Sequence, residues 1–434
     1  MRSNFTPFEA ASRGEIRALQ EQKLLGLLRK VSGNPFYRRK YEECGINLER
    51  VRSLDDLKML PFTYKRDFQK DQTENPPFGA NLSEPLENYV RYHQTTGTTG
   101  LPLKWLDTKE SWEWRGKCAA MSLWASGVRP SDVVFFPFAF GPHVAFWGLF
   151  EGTFQIGALA IAGGGWNTVQ RLRSLIENQA TVVCCTPTYA LRMAEAAVDN
   201  DIDLRKSSVR LLIHAGEPGG LIPSIQKKIS DAWGATPYDY PGLTEVGAYA
   251  LHCEHQRTAI HVNETEFILE VIDPTTGKPL EDGNMGEMVL TNLGRTSSPG
   301  IRFRTHDLVR VSTAQCGCGR TFRLLEGGVL GRSDDMIIVR GMNLFPSDLG
   351  NVVEGCLVIG EEYQIIAYTK DGMGEVKVCV EPGKGRDPAQ LCKRLEGALR
   401  ERFEIRIPVE AVPLNTLPRS DYKSKRFVDK RAAS

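Results

Sequence analysis

Thr95-Thr96-Gly97-Thr98-Thr99-Gly100-Leu101-Pro102-Leu103-Lys104 is the stretch from which the fold is read. Two glycines and four threonine hydroxyls let such a loop wrap its backbone N–H groups around phosphate oxygens, and Lys104 adds charge. The Gly-Lys-Ser/Thr ending of a Walker A loop is missing, which counts against a P-loop nucleotide hydrolase. The plain alternative for the stretch alone is a glycine turn rich in threonine.

Four further stretches lie downstream. Asp239-Tyr240-Pro241-Gly242-Leu243-Thr244-Glu245 puts a carboxylate just after a tight turn, where it can hold Mg²⁺, and Tyr240 can stack on a purine. The plain alternative is a strand-to-helix turn with Glu245 in the first helical turn. In Arg302-Phe303-Arg304-Thr305-His306-Asp307-Leu308 a free Asp307 carboxylate can accept both hydroxyls of a ribose; a surface Arg/Asp pair is the alternative. The run from Gly331-Arg332-Ser333-Asp334-Asp335 to Asn343-Leu344-Phe345-Pro346 places a charged turn before a strand, which suits a hinge or an ordinary loop. Pro418-Arg419-Ser420-Asp421-Tyr422-Lys423 offers a lysine on a polar loop, able to reach another domain's site or to remain a solvated tail.

The surroundings fit a globular enzyme. The chain has 434 residues, with Lys+Arg 54 against Asp+Glu 53 and a net charge of +1. That balance gives no field for nucleic acid or an anionic membrane. Residues 1–32 mix charges throughout and are no secretion signal, and the apolar stretch 133–166 is broken by prolines, glycines and Glu151, so no membrane span is expected. It reads as buried strands and turns. Ten cysteines without a leader point to a reducing, cytoplasmic location.

Strand-like and helix-like runs alternate, which predicts an α/β fold. Residues 181–185 and 209–214 are apolar strands, each followed by a helical pattern. Residues 267–311 change to short strands with turns, a β-rich subdomain. The last hundred residues repeat an α/β pattern of their own. A hairpin forms around Asp371-Gly372, and a helix starts at Asp387-Pro388 with Leu391, Leu395, Leu399 and Phe403 on one face. The expected architecture is a large N-terminal domain, residues 1–331, built of α/β subdomains plus the β-rich one, and a small mobile C-terminal α/β domain, residues 332–434.

The five stretches, in this order, resemble the adenylate-forming superfamily of acyl-CoA synthetases and carrier-protein adenylation domains, and most closely the phenylacetate–CoA ligases and related aryl–CoA ligases. Residues 60–67 also look like that branch's N-terminal segment. The resemblance implies ATP-dependent activation of a small carboxylic acid to an acyl-adenylate, then transfer to the thiol of coenzyme A; loading of an acyl carrier protein by a stand-alone adenylation enzyme is the alternative. A nucleotide-binding protein that kept the fold without the activity would be expected to lack Glu245 or Lys423, and both are present.

Roles follow from the resemblance residue by residue. Thr95, Thr96, Gly97, Thr98, Thr99 and Gly100 would hold the ATP phosphates. Ala215, Gly216, Glu217 and Pro218 would face the adenine, and Asp239 and Tyr240 would line the nucleotide pocket. Thr244 and Glu245 would contact phosphate and Mg²⁺, Asp307 with Arg332 the ribose. Asp334 would be the hinge and Lys423 the catalytic lysine; Lys425 aligns less well. Pro241 and His306 depart from the family pattern, His306 where Gly or Arg is usual. The aromatic segment around Phe140, His143 and Phe146, with Ala215 and Tyr240, fits a pocket for an apolar or aromatic acid, or a plain core.

Cys316-Gly317-Cys318 with the upstream Cys253 suggests a structural Zn²⁺ site of Cys₃His type, closed to substrate because four protein ligands leave no open position. His261 is the first choice as fourth ligand and His255 the second; reduced, unliganded thiols are the alternative.

Overall fold

A computed structural model describes residues 5–95, 102–339, 342–370, 373–419 and 426–431. Helices α1 (Arg13–Val31), α2 (Pro35–Glu43) and α3 (Lys65–Glu74) open the chain. Ser12 and Glu15 start α1 as a reciprocal cap: the Ser12 N–H donates to Glu15 at 2.8 Å and the Glu15 N–H to Ser12 Oγ at 3.3 Å. The antiparallel strands β1 (Tyr89–Gln94) and β2 (Lys104–Thr108) then flank the threonine-glycine loop, and α4 (Lys109–Ala125) follows directly.

Next comes a doubly covered parallel sheet. Its strands are β3 (Val133–Phe136), β4 (Leu159–Ala162), β5 (Val182–Cys185), β6 (Leu211–His214) and β7 (Thr236–Asp239), in the order β4-β3-β5-β6-β7. The connecting helices are α5 (Val144–Ile156), α6 (Thr168–Glu177), α7 (Pro187–Val198) and α8 (Pro223–Trp233). Alternate strand residues serve opposite faces. Val134, Phe136, Val182, Cys184, Leu211 and Ile213 share a core with α4 and α5, whereas Phe135, Val183, Cys185 and Leu212 pack on α6, α7 and α8. Both faces being buried, the strands read as unbroken apolar runs. The strand-and-turn expectation for 133–166 is corrected here: α5 occupies its middle. Gly152 lets α5 lie against α4, since a Cβ there would come 2.7 Å from the Ala120 nitrogen.

The expected β-rich region follows. Strands β8 (Ala250–Leu251), β9 (Ala259–Val262), β10 (Phe267–Ile272), β11 (Met285–Asn292), β12 (Phe303–Arg310), β13 (Leu324–Glu326) and β14 (Gly331–Arg332) form two antiparallel sheets, β10-β11-β12-β14 and β13-β9-β8. The remainder has a core of its own. After the hairpin β15 (Ile337–Val339) and β16 (Met342–Leu344) come α9 (Pro346–Cys356), β17 (Glu362–Lys370), β18 (Met373–Glu381), α10 (Pro388–Phe403), β19 (Val409–Ala411) and β20 (Phe427–Asp429). The sheet β19-β18-β17-β20 and both helices enclose Leu349, Val353, Ile365, Val378, Leu391, Leu395 and Leu399. Asp387 caps α10, accepting the Ala389 N–H at 2.9 Å.

Lys228 of α8 reaches Glu354 of α9 at 2.9 Å, and a cavity of about 230 Å³ lies beside this pair between the two parts. Among the described residues, no helix is long and apolar enough to cross a membrane.

Candidate active site

The turn 215–220 leaves the carboxyl end of β6, and Tyr240 that of β7. In open α/β sheets this end of the strands is where ligands bind. Thr95 closes the base of the threonine-glycine loop: its N–H donates to the Leu103 carbonyl and its hydroxyl accepts the Leu103 N–H, both at 2.9 Å. Thr96, Gly97, Thr98, Thr99 and Gly100 lie outside the described residues, as do Lys423 and Lys425.

The turn after β6 is drawn onto the end of β7. The buried Asp239 carboxylate accepts the Gly220 N–H at 2.7 Å and the Leu221 N–H at 3.0 Å. Residue 220 must be glycine, because a Cβ would sit 2.7 Å from Asp239 Oδ1. Burial pushes the Asp239 carboxyl up to about 6, against the pull of those N–H groups. Its own N–H donates to His252 Nδ1 at 3.0 Å, which puts any ring proton of the neutral imidazole on Nε2; burial holds His252 down at about 3. Ala215 is buried, Gly216 takes a left-handed φ of 91°, and Pro218 is exposed. Glu217 turns back to accept the Thr188 N–H at 2.9 Å in the first turn of α7.

Tyr240 is buried, and its hydroxyl points at α5, 3.2 Å from where a Gly148 Cβ would be. Its ring belongs to the inner wall at the end of β7. Phe146 and Ala215 join it in one core cluster, with Phe140 packed at the edge. The wall is aromatic throughout: ring centres of Phe138 and Phe146 lie 3.9 Å apart, and those of Phe138 and Phe140 5.1 Å apart. His143 Nδ1 sits 3.3 Å from the Gln94 carbonyl, which ties this wall to the strand entering the threonine-glycine loop.

Thr244 and Glu245 sit on a tight turn in which Leu243 and Gly247 exchange backbone hydrogen bonds at 3.0 and 2.8 Å. The Glu245 carboxylate, largely buried, faces Lys65 of α3 at 3.8 Å. Asp307 and Arg332 are direct partners across β12 and β14, with Arg332 Nη1 3.2 Å from Asp307 Oδ1. The same guanidinium grips Asp334 with two hydrogen bonds, at 2.9 and 2.7 Å, so one side chain bridges the ribose candidate and the hinge candidate. His306 adopts φ of 63°, the left-handed backbone that favours glycine there.

Beyond this cleft, Cys253, His261, Cys316 and Cys318 bring their donor atoms within 4.8 Å of one another. Cys253 and Cys316 sulfurs are 3.7 Å apart, and Cys318 lies 3.3 Å from His261 Nε2. Four ligands around Zn²⁺ at a Zn–S distance of about 2.3 Å would space sulfurs by about 3.8 Å, so the set fits a tetrahedral site. His261 Nδ1 lies 3.3 Å from the Phe322 carbonyl, an arrangement that leaves Nε2 free to ligate. The hydrogen bond from Cys253 holds the Cys318 thiol far below its usual range, while Cys253, donating to that sulfur, is pushed up. His255 is exposed and outside the cluster.

Sequence reasoning passed over Lys65 as a partner of Glu245, and also Asp107, Arg115 and Arg295. The last three are buried charged residues whose sequence neighbours are mixed, so no local signal marks them.

Residues 341–431 match the family model described as AMP-binding enzyme C-terminal domain. Over 442 residues the chain is 31% identical to a phenylacetate-coenzyme A ligase of Pseudomonas putida, covering 100% of this chain and 98% of the relative. The corresponding ligase of Escherichia coli K12 is 31% identical, with 98% and 97% covered. Among solved structures, 2-hydroxyisobutyryl-CoA ligase in the postadenylation state with R3-HIB-AMP superposes with a TM-score of 0.91 at 27% identity, covering 99% of this chain and 93% of that one. The same ligase in the thioesterification state, with 2-HIB-AMP and CoA, gives 0.75 at the same identity and coverage. The chain thus superposes more closely on the postadenylation structure than on the thioesterification one.

Proposed function

The chain belongs to the phenylacetate–coenzyme A ligase family, and from that premise we propose that it activates an aromatic or arylacetic acid with ATP and passes the acyl group to coenzyme A. The observation that carries the acid class is the aromatic wall of Phe138, Phe140 and Phe146 beside Ala215 and Tyr240. Coenzyme A is preferred to a carrier protein because the 2-hydroxyisobutyryl-CoA ligase holds it in its thioesterification state.

Attack of the carboxylate on the α-phosphate forms the acyl-adenylate and releases pyrophosphate; attack of the thiol then releases AMP. The protein positions groups and stabilises charge. In this reading Thr95 to Gly100 cradle the phosphates, the turn 215–218 faces the adenine, and Asp307 with Arg332 takes the ribose. Lys423 reaches the α-phosphate from the small domain. Thr244 and Glu245 would hold Mg²⁺, which when bound offsets phosphate charge. The buried, cation-facing Glu245 carboxylate suits such a hard ion.

The domain boundary is assigned between residues 331 and 332, supported by the separate core built from Ile337 to Phe427. Asp334 serves as the pivot about which the small domain exchanges Lys423 for the face around Gly341. The difference in TM-score between the two states of one relative supports such a motion. Cys253, His261, Cys316 and Cys318 are assigned a structural Zn²⁺, supported by their spacing.

The test is pyrophosphate release from ATP across a panel of aromatic, arylacetic and short hydroxy acids, followed by acceptor choice between coenzyme A and a holo carrier protein. Preference for an aliphatic acid would overturn the acid class, and loading of the carrier alone would overturn the acceptor.

A further inference from the structure

Three charged side chains lie deep behind the Thr244–Glu245 turn. Asp107 and Arg295 are 0% exposed and Arg115 5%. Arg295 Nε donates to Asp107 Oδ1 at 2.6 Å, and Arg115 Nε approaches Asp107 Oδ2 at 3.3 Å. Burial opposes ionisation of Asp107, but Arg295 and Arg115 outweigh it and hold the carboxyl below its usual range. Burial and the neighbouring Arg115 lower Arg295 to about 10, which still leaves it charged at neutral pH. Two cations and one anion leave one excess positive charge in the interior.

The donors of this group converge. Arg115 Nη2 donates to the Thr244 carbonyl at 2.7 Å. Arg295 Nη1 lies 3.2 Å from both the Thr244 and the Glu245 carbonyls, and Nη2 is 3.4 Å from the Leu106 carbonyl. Asp107 belongs to β2, the strand that leaves the threonine-glycine loop. One buried group thus ties that strand to the peptide carrying Thr244 and Glu245, although the two are far apart in sequence. For stability alone the arrangement is a poor choice, because a buried charged triad is often matched or bettered by apolar residues of similar volume. What apolar residues cannot do is hold two carbonyls in fixed directions.

We propose that Asp107, Arg115 and Arg295 are positioning residues for adenylation: they lock the Thr244 and Glu245 carbonyls, and thereby aim the Thr244 hydroxyl and the Glu245 carboxylate at the magnesium–triphosphate. The inference rests on the roles assigned above to Thr244 and Glu245. A planar guanidinium can serve two carbonyls at once, whereas an ammonium is a point donor. Lysine at position 295 or 115 therefore keeps the charge and loses the fork.

The decisive measurement compares wild type with Arg295→Lys and Arg115→Lys, each checked for its melting temperature. Adenylation is followed by pyrophosphate release against Mg²⁺ and ATP concentration, and acyl transfer is measured from supplied acyl-adenylate. The expected result is a ten- to hundredfold lower adenylation rate and a several-fold higher Mg²⁺ requirement. The KM for the acid should be unchanged, and acyl transfer should be hit at least tenfold less. Calorimetry of Mg·ATP binding provides an arm that does not depend on turnover, and the lysine variants should bind it several-fold more weakly. Equal loss in both half-reactions, or unchanged Mg²⁺ and ATP dependence in a folded variant, would overturn the proposal. Wild type that binds Mg·ATP but releases no pyrophosphate with any acid would instead sink the functional reading beneath it.

Discussion

Stripping the metal from the Cys253–His261–Cys316–Cys318 cluster should lower stability by an amount that can be worked out beforehand. A ligand bound only by the folded state contributes about 2.7 kcal/mol when free metal exceeds its Kd a hundredfold, and about 4.1 at a thousandfold. Unfolding entropy near 2.1 cal/mol/K per residue gives about 0.9 kcal/mol/K for 434 residues, so the melting temperature should fall by about 3–5 °C. The loss should also have a location. Cys318 lies just before Arg320, whose guanidinium meets the buried Glu9 at 2.7 Å, and Thr321 binds the Ala11 carbonyl. Ile16, Met121, Leu251 and Phe322 pack around the cluster. Freed from its metal, the turn should release the N-terminal segment, and trypsin should cut after Arg13 and Arg17 faster than elsewhere. The assays are elemental analysis, calorimetry with and without chelator, and timed proteolysis, with Cys316→Ser/Cys318→Ser as the genetic counterpart. Protein purified without chelator that carries no metal would refute the site. Stripping that leaves melting and cleavage unchanged would refute its structural role.

Lys423→Ala should reduce pyrophosphate release by orders of magnitude while acyl transfer from supplied acyl-adenylate survives; separate half-reaction assays decide, and parallel loss would contradict the role. Asp334→Pro, which fixes φ near −65°, should trap one domain orientation and so spare one half-reaction and cripple the other, with melting temperature as control; wild-type rates in both would move the pivot elsewhere. Asp239 titrates near 6 in the fold against an unfolded value near 3.8, so it favours the folded state below about pH 4, and that contribution is lost as pH rises through 6. Two pH units amount to about 3 kcal/mol. Asp239→Asn should therefore gain stability relative to wild type between pH 4 and 7 in denaturant titrations, and a constant offset across that range would show that the carboxyl does not carry the shift.

Much of this was legible in the sequence because the nucleotide motifs are contiguous and their order is informative by itself. Strands such as β5 and β6 announce themselves as apolar runs since both faces of their sheet are covered. Helix α5 was hidden for a related reason. Buried on several sides, with Phe146, Gly148, Leu149, Gly152 and Ile156 all inside, it shows no polar stripe at helical spacing, and its glycines argue against a helix. That the Tyr240 hydroxyl points at Gly148 of α5 is a long-range contact with no local signal. Asp107 meets Arg295 across 188 residues, a pairing that no local pattern announces. Of the two histidines offered for the metal, only the strand pairing of β9 with β13 brings His261 to the cysteines.

The aromatic wall has one consequence for ancestry. Phe136, Phe138, Phe140, Phe146 and Phe150 sit on a single short length of chain, from the end of β3 into α5, whereas Thr244, Glu245, Asp307 and Arg332 come from other elements. Under the proposed assignment of this wall to the acid, a lineage would exchange most of its acid contacts by rewriting that one length, with Ala215 and Tyr240 left in place. Relatives that have parted ways over which acid they consume should differ there first, and a library confined to residues 136–150 is the shortest route to a new appetite.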